Sequence, residues 1–214
     1  MSQCHTPTIY DYKTVSEQKS FLRKRAKDAL KEYCADSSLM EQTADSVLSS
    51  VTNSLEYKEA SLIVGFMPMN DEVNIIPLLK RALKDGKKVA VPRMSVSSND
   101  MEFYYIEDLT SSFTCDNKFK IKEPSPDCKI LKAEEIPLDA LVLIPGLVFN
   151  LEGARLGRGK GYYDKYLSQL SDVEKRKLCG VCFTICVTKA VPVEENDIRV
   201  NFLLNEYGFI PLKK

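Results

Sequence analysis

The sequence predicts an α/β protein: a single-domain, three-layer sandwich in which a mostly parallel sheet carries helices on both faces. Three observations lead there. Two short uninterrupted apolar runs, Ser61–Phe66 (SLIVGF) and Ala140–Ile144 (ALVLI), have the composition of strands covered on both sides. Around them lie segments whose apolar residues recur at three- and four-residue spacing, the period of helices that bury one stripe. No internal repeat, low-complexity tract or composition break marks a linker. Strands alternating with amphipathic helices therefore close into one layered unit. Residues 1–14 are expected to be a disordered tail and residues 15–214 the domain.

The first helix is predicted over residues 15–34. Thr14 and Glu17 form a capping box at its start, and Phe21, Leu22, Ala26, Ala29, Leu30 and Tyr33 form its apolar stripe. A second box, Ser38 with Glu41, opens a helix carrying Met40, Ala44, Val47, Leu48 and Val51. The strand at Ser61–Phe66 ends in a polar loop, Met69-Asn70-Asp71-Glu72. Ile75–Lys84 is helical, with Pro77 acceptable only in its first turn and Gly86 as its stop. Lys88–Val91 is a short strand closed by Pro92, and Glu102–Ile106 another; residues 110–137 read mostly as loop. After the strand Ala140–Ile144 come Pro145-Gly146 and a glycine-rich turn, then a helix over Tyr162–Leu170 and a second at Asp172–Leu178. Val181–Val187 and Phe202–Leu204 supply late strands.

Acidic and basic residues balance at 30 each, so no global field draws the chain to nucleic acid or an anionic membrane. Any anionic ligand must be held by a local cluster. No apolar run reaches the length of about 18 residues that a membrane span needs. The N-terminus has neither the apolar core of a signal peptide nor the acid-poor character of a transit peptide, so the cytoplasm is expected. Of seven cysteines, Cys179, Cys182 and Cys186 include one Cys-x-x-Cys, but no second pair accompanies it. The single histidine, His5, lies in the expected tail, so a four-ligand zinc site is disfavoured and the thiols read as small hydrophobes in a buried strand. With one histidine, catalysis must rely on Lys, Arg, Tyr and carboxylates, a repertoire suited to phosphate chemistry.

The segment RLGRGKGYYDKY, residues 155–166, follows a buried strand, where open α/β sheets gather ligands. Gly157, Gly159 and Gly161 let backbone N–H groups approach an anion, and Arg155, Arg158 and Lys160 add three positive charges. Three basic residues crowd one turn without acidic partners, which favours bound phosphate over a structural turn. The loop is neither a Walker A nor a Rossmann fingerprint. A Walker A would need glycine at 154 and Ser or Thr at 161, where Ala154 and Gly161 stand, and the third Rossmann glycine would fall on Tyr162.

Residues 145–167, PGLVFNLEGARLGRGKGYYDKYL, resemble the signature of the 5-formyltetrahydrofolate cyclo-ligase (methenyltetrahydrofolate synthetase) family. Weaker similarities run from Lys19 to Val200: Lys19-x-x-x-Arg23, the PMNDEV loop, VPR at 91–93 and VPVEENDIRV at 191–200. The resemblance implies ATP- and magnesium-dependent closure of the N5-formyl group onto N10 to give the 5,10-methenyl ring. It implies ATP binding by Lys19, Arg23, Arg155, Leu156, Gly157, Arg158, Gly159, Lys160, Gly161, Tyr162 and Tyr163. Arg158, Lys160 and Tyr162 are expected to be catalytic. Met67 and Glu72, with residues 158–162, are expected to hold the folate, Glu72 facing the amino-pyrimidine edge. Magnesium is expected at Asp164 and Asp197.

Each assignment has a plainer alternative. Lys19 and Arg23 could be a solvated basic face, Glu72 and Asp164 helix caps, Asp197 a turn residue, and one of the two tyrosines mere packing. The sequence departs from the family pattern at Asn150, where Asp is usual and to which no metal role is assigned, and at Ile75, where a Thr is usual. The expected partners are small molecules alone, with no nucleic acid or membrane, acted on by a monomer. Two further functions compete: a folate- or nucleotide-binding module without catalysis, and a sugar-phosphate isomerase or CoA-transferase on a related scaffold.

Overall fold

A computed structural model of the chain describes residues 8–94, 100–114 and 122–212. In chain order its helices are α1 (Val15–Tyr33), α2 (Ser37–Asn53), α3 (Leu55–Glu59), α4 (Ile76–Lys84) and α5 (Tyr162–Leu167). The strands begin with β1 (Leu62–Val64), β2 (Lys88–Met94), β3 (Met101–Ile106), β4 (Phe113–Thr114), β5 (Glu123–Pro124) and β6 (Ile130–Leu131). They continue with β7 (Leu141–Pro145), β8 (Val148–Phe149), β9 (Arg155–Leu156), β10 (Lys177–Val181), β11 (Phe202–Asn205) and β12 (Gly208–Pro211). Eight of them form one sheet in the order β12-β11-β10-β7-β1-β2-β3-β6. The five strands β11, β10, β7, β1 and β2 run parallel, and antiparallel pairing is confined to β12, β3 and β6. The mostly parallel α/β sheet predicted from the sequence is thus what the chain forms.

Leu62, Ile63 and Val64 are all essentially inaccessible, as are Leu141 to Ile144. Successive strand side chains point to opposite faces, so both faces of the sheet centre are covered. Burial of these runs and of Leu78, Leu79 and Ala82 from α4 drives collapse around β1 and β7. The capping box of α1 forms as expected, Thr14 Oγ1 accepting from Glu17 N at 3.2 Å and Glu17 Oε2 accepting from Thr14 N at 3.0 Å. Ahead of it Ile9–Asp11 makes a 3₁₀ turn and Tyr12 packs on Phe21 at 4.8 Å, so residues 8–14 of the expected tail hold structure. Residues 1–7, including His5, lie outside the described residues. Among the described residues no helix is long and apolar enough to cross a membrane.

Several boundaries differ from expectation. The cap of α2 is Asp36, whose Oδ1 accepts from Leu39 N at 3.1 Å, and not Ser38. β2 runs through Pro92 instead of stopping there. The carbonyl of Ala90 faces β1, accepting from Gly65 N, so Pro92 faces the same way, past the last β1 pairing, and its missing N–H costs the sheet nothing. The helix expected over Asp172–Leu178 is only a 3₁₀ turn at Val173–Lys175, after which β10 begins. The strand expected over Val181–Val187 is replaced by the end of β10 and a 3₁₀ turn at Thr184–Cys186. Pairing with β7 from Lys177 to Val181 outweighs local propensity there. α5 stops at Leu167, short of Leu170, and β12 was not foreseen.

Candidate active site

The site assembles beyond the carboxyl ends of β1 and β7. From β7 the chain enters the β8–β9 hairpin, whose turn is held by Asn150: its Oδ1 accepts from Glu152 N at 3.1 Å and Ala154 N at 2.8 Å. An amide suffices for that role, so the Asn in place of the usual Asp costs the turn nothing. Phe149 is fully buried between Gly146 and Gly180, where an added Cβ would lie 2.6 and 2.3 Å from its ring. β9 then delivers Arg155 and Leu156 as buried residues, and the loop turns through Gly159 (φ +97°) and Gly161 (φ +70°), both in the left-handed region.

Lys19 lies on the buried stripe of α1 with Leu22, Ala26 and Leu30, not on a solvated face. Its Nζ meets Glu194 Oε2 at 2.7 Å and Asp197 Oδ2 at 2.5 Å. Burial lowers the affinity of Lys19 for its proton, but the two carboxylates outweigh that and the net direction is upward. One turn on, Arg23 Nε donates to Gly157 O at 3.0 Å, and its guanidinium lies beside Gly159. The four-residue spacing thus brings both α1 cations to the glycine loop and the 194–197 segment.

The idea that the loop's basic residues have no acidic partners is overturned for two of the three. Arg155, whose side chain is 3% exposed, directs Nη2 to both oxygens of Asp164 at 2.8 Å. Arg158 reaches across to the loop after β1, with Nη2 at 2.5 Å from Asp71 Oδ1 and 3.2 Å from Glu72 Oε1. Charge pairing of residues 86 and 87 positions apart is invisible to sequence spacing. Lys160 is exposed and makes no hydrogen bond or ion pair among the described residues. Glu72 is largely buried, which raises its carboxyl pKa; the N–H of Met69, donating to Oε2 at 3.0 Å, and the nearby Arg158 offset only part of this. Glu72 therefore closes its own loop and does not cap α4.

Tyr163 sits half-buried, edge-on to Phe103 at 6.5 Å and 5.7 Å from the Arg155 guanidinium, and burial pushes its hydroxyl upward. Tyr162 and Met67 are partly buried against the core. Ile75 is fully buried in the core beside Gly65, so the departure there touches packing. Cys179, Cys182 and Cys186 are buried free thiols packed in the core, and burial pushes Cys186 up to about 12. Asp71 and Glu194 were not singled out from the sequence. Their only signal was adjacency to Glu72 and membership of the acidic run Glu194-Glu195-Asn196-Asp197.

Of the two carboxylates expected to bind magnesium, Asp164 accepts through Oδ1 from the N–H of Ile198 at 3.3 Å, so it lies beside the backbone that follows Asp197. Each is already paired with a cation. Among the described residues no three His, Cys, Asp or Glu side chains form a metal-binding group. Such a donor set fits an ion that arrives on a polyphosphate and keeps its waters, and does not fit a resident metal.

The model of the 5-formyltetrahydrofolate cyclo-ligase family matches residues 15–206. The mouse protein named 5-formyltetrahydrofolate cyclo-ligase is 31% identical over 200 residues, covering 90% of this chain and 96% of its own. The solved structure of Aquifex aeolicus 5,10-methenyltetrahydrofolate synthetase matches with a TM-score of 0.74 at 28% identity, over 92% of this chain and 93% of that one. The Mycoplasma pneumoniae 5,10-methenyltetrahydrofolate synthetase shares the fold with a TM-score of 0.67 at 21% identity, over 88% of this chain and 98% of that one. A match spanning the sheet, the glycine loop and the acidic 194–197 segment together places this chain in the 5-formyltetrahydrofolate cyclo-ligase family.

Proposed function

We propose that the protein cyclises 5-formyltetrahydrofolate to 5,10-methenyltetrahydrofolate, consuming ATP and releasing ADP and phosphate. A formamide carbon is a poor electrophile, because nitrogen donates into the carbonyl and oxide is a poor leaving group. Attack of the formyl oxygen on the γ-phosphorus expels ADP and converts that oxygen into a phosphate ester. The N10 lone pair then adds to the formyl carbon, the C–O bond breaks with departure of phosphate, and loss of the N10 proton leaves the methenyl amidinium.

One observation carries this reading beyond family membership: Arg158 of the glycine loop contacts Glu72 of the loop after β1. This contact supports a reading in which the loop that holds the nucleotide lies beside the carboxylate that meets a pterin's amino-pyrimidine edge. In this reading Lys19, Arg23, Arg155 and residues 156–163 surround the triphosphate. Arg158 and Lys160 neutralise charge that moves onto phosphoryl oxygens, the main way in which proteins accelerate phosphoryl transfer. Tyr162 lines the join between the two substrates, and Met67 and Glu72 hold the folate. Magnesium bound to the triphosphate would spread phosphate charge, with Asp164 and Asp197 as the carboxylates to hold it.

The test is to mix protein, ATP, magnesium and 5-formyltetrahydrofolate and follow the methenyl chromophore together with ADP. Stoichiometric ADP and methenyl product is expected. Full turnover without nucleotide, or in the presence of EDTA, refutes the mechanism.

A further inference from the structure

We propose that Asp71 is a positioning residue: it holds the Arg158 guanidinium against the loop after β1 so that Glu72 stays available to the folate. This rests on the function proposed above and goes beyond it in giving Asp71 a role.

Arg158 has two carboxylates within reach, and they are not equivalent. Asp71 Oδ1 lies 2.5 Å from Nη2, whereas Glu72 Oε1 lies 3.2 Å from Nη2 and 3.3 Å from Nε. The short charge-assisted bond is to Asp71, and such bonds are about twice as strong as neutral ones. Glu72 is the more buried of the two, its side chain 12% exposed against 32% for Asp71. Its Oε2 is already committed to the N–H of Met69. Oε1 is therefore the oxygen with which Glu72 can meet a ligand, and Arg158 is what borders it.

Two carboxylates around one guanidinium leave one negative charge in excess, which suits an edge of N–H donors. If Arg158 had Glu72 as its sole partner, a ligand engaging Glu72 would strip a half-buried guanidinium of its counter-charge. With Asp71 present, Arg158 retains its shortest bond while Glu72 exchanges its longer contacts for the ligand's donors. Asp71 thus also keeps the Arg158 guanidinium at the loop after β1. Asp71 acts through Arg158 and need not touch substrate.

The test is a double-mutant cycle in steady-state kinetics, with wild type, Asp71→Asn, Asp71→Glu, Arg158→Ala and Asp71→Asn/Arg158→Ala, each checked for an unchanged circular dichroism spectrum. Asp71→Asn should lower kcat/KM for 5-formyltetrahydrofolate about three- to tenfold, the lower end of a charge-assisted bond because the pair is partly exposed. The KM for ATP should change less than that for 5-formyltetrahydrofolate, since Arg158 alone of the cations expected around the triphosphate pairs with Asp71, while Lys19 and Arg155 pair with Glu194, Asp197 and Asp164. Asp71→Glu should recover most of the loss, and Asp71→Asn should cost nothing further once Arg158 is alanine. Losses that multiply in the double variant, no rescue by Glu, or a loss confined to ATP overturn the assignment alone. A folded wild type inert towards 5-formyltetrahydrofolate overturns the functional reading, and this assignment with it.

Discussion

Replacing Asp164 by asparagine separates two roles for that carboxylate: partner of a buried arginine and holder of a metal. The Arg155 side chain is 3% exposed and has one good acceptor, Asp164, reached by Nη2 at 2.8 Å to each oxygen. Among the described residues its Nη1 has only the long 3.4 Å contact to Pro145 O, and its Nε is buried with no partner. Asp164→Asn therefore strands a buried charge. Removing one partner of a buried pair costs about 3–5 kcal/mol; asparagine retains one acceptor oxygen and the site is one-quarter open at Asp164, so about 2–3 kcal/mol is expected. For a chain of 214 residues that corresponds to a fall in melting temperature of about 4–12 °C. Asp197→Asn supplies the comparison, because Lys19 keeps Glu194 at 2.7 Å and should lose only about 1 kcal/mol. The assay is thermal unfolding followed by circular dichroism with neither metal nor nucleotide present. Arg155→Met combined with Asp164→Leu should regain stability over Asp164→Asn, since neutral packing replaces a broken pair. If Asp164→Asn melts like wild type, or falls no further than Asp197→Asn, the pairing argument is wrong.

Three further outcomes follow from the same geometry. Glu72→Gln should weaken folate binding about ten- to hundredfold while leaving ATP binding near wild type, read by calorimetry; the reverse pattern refutes the pocket assignment. Burial raises the Glu72 carboxyl, so protonation on acidification begins above the ordinary glutamate range and folate affinity is lost as pH falls through that raised pKa. Glu72→Gln should lack this acid limb, and its persistence would assign it to another group. Lys160→Ala should reduce kcat by about 10²–10³ and ATP affinity by less, with an unchanged melting temperature because the side chain is exposed; weak ATP binding with normal kcat at saturation would make Lys160 an anchor only. Gly180→Ala should destabilise by about 1–3 kcal/mol in denaturant unfolding, since its Cβ would lie 2.3 Å from the Phe149 ring; a neutral effect would mean that the ring can move.

The chain's own pattern was sufficient to specify its class. Leu62–Val64 and Leu141–Ile144 are buried on both faces because no polar residue interrupts them, a property of composition alone. The capping box at Thr14 and Glu17 is equally local, as are the glycines that take left-handed backbone at 159 and 161. Local sequence could not decide whether Lys177–Val181 is helix or strand, because its conformation is set by pairing with β7, a partner 36 residues earlier at Lys177↔Leu141. Nor could it decide how the charges of the glycine loop pair. Arg155, Arg158 and Lys160 look alike in the sequence, yet the fold pairs Arg155 with Asp164, sets Arg158 between Asp71 and Glu72, and leaves Lys160 at the surface. Lys19 joined the core stripe for the same reason: Glu194 and Asp197, some 175 residues away, provide the counter-charge that makes its burial tolerable. Coulomb energy depends on distance through space and on the surrounding dielectric, and both are fixed only when the chain has folded.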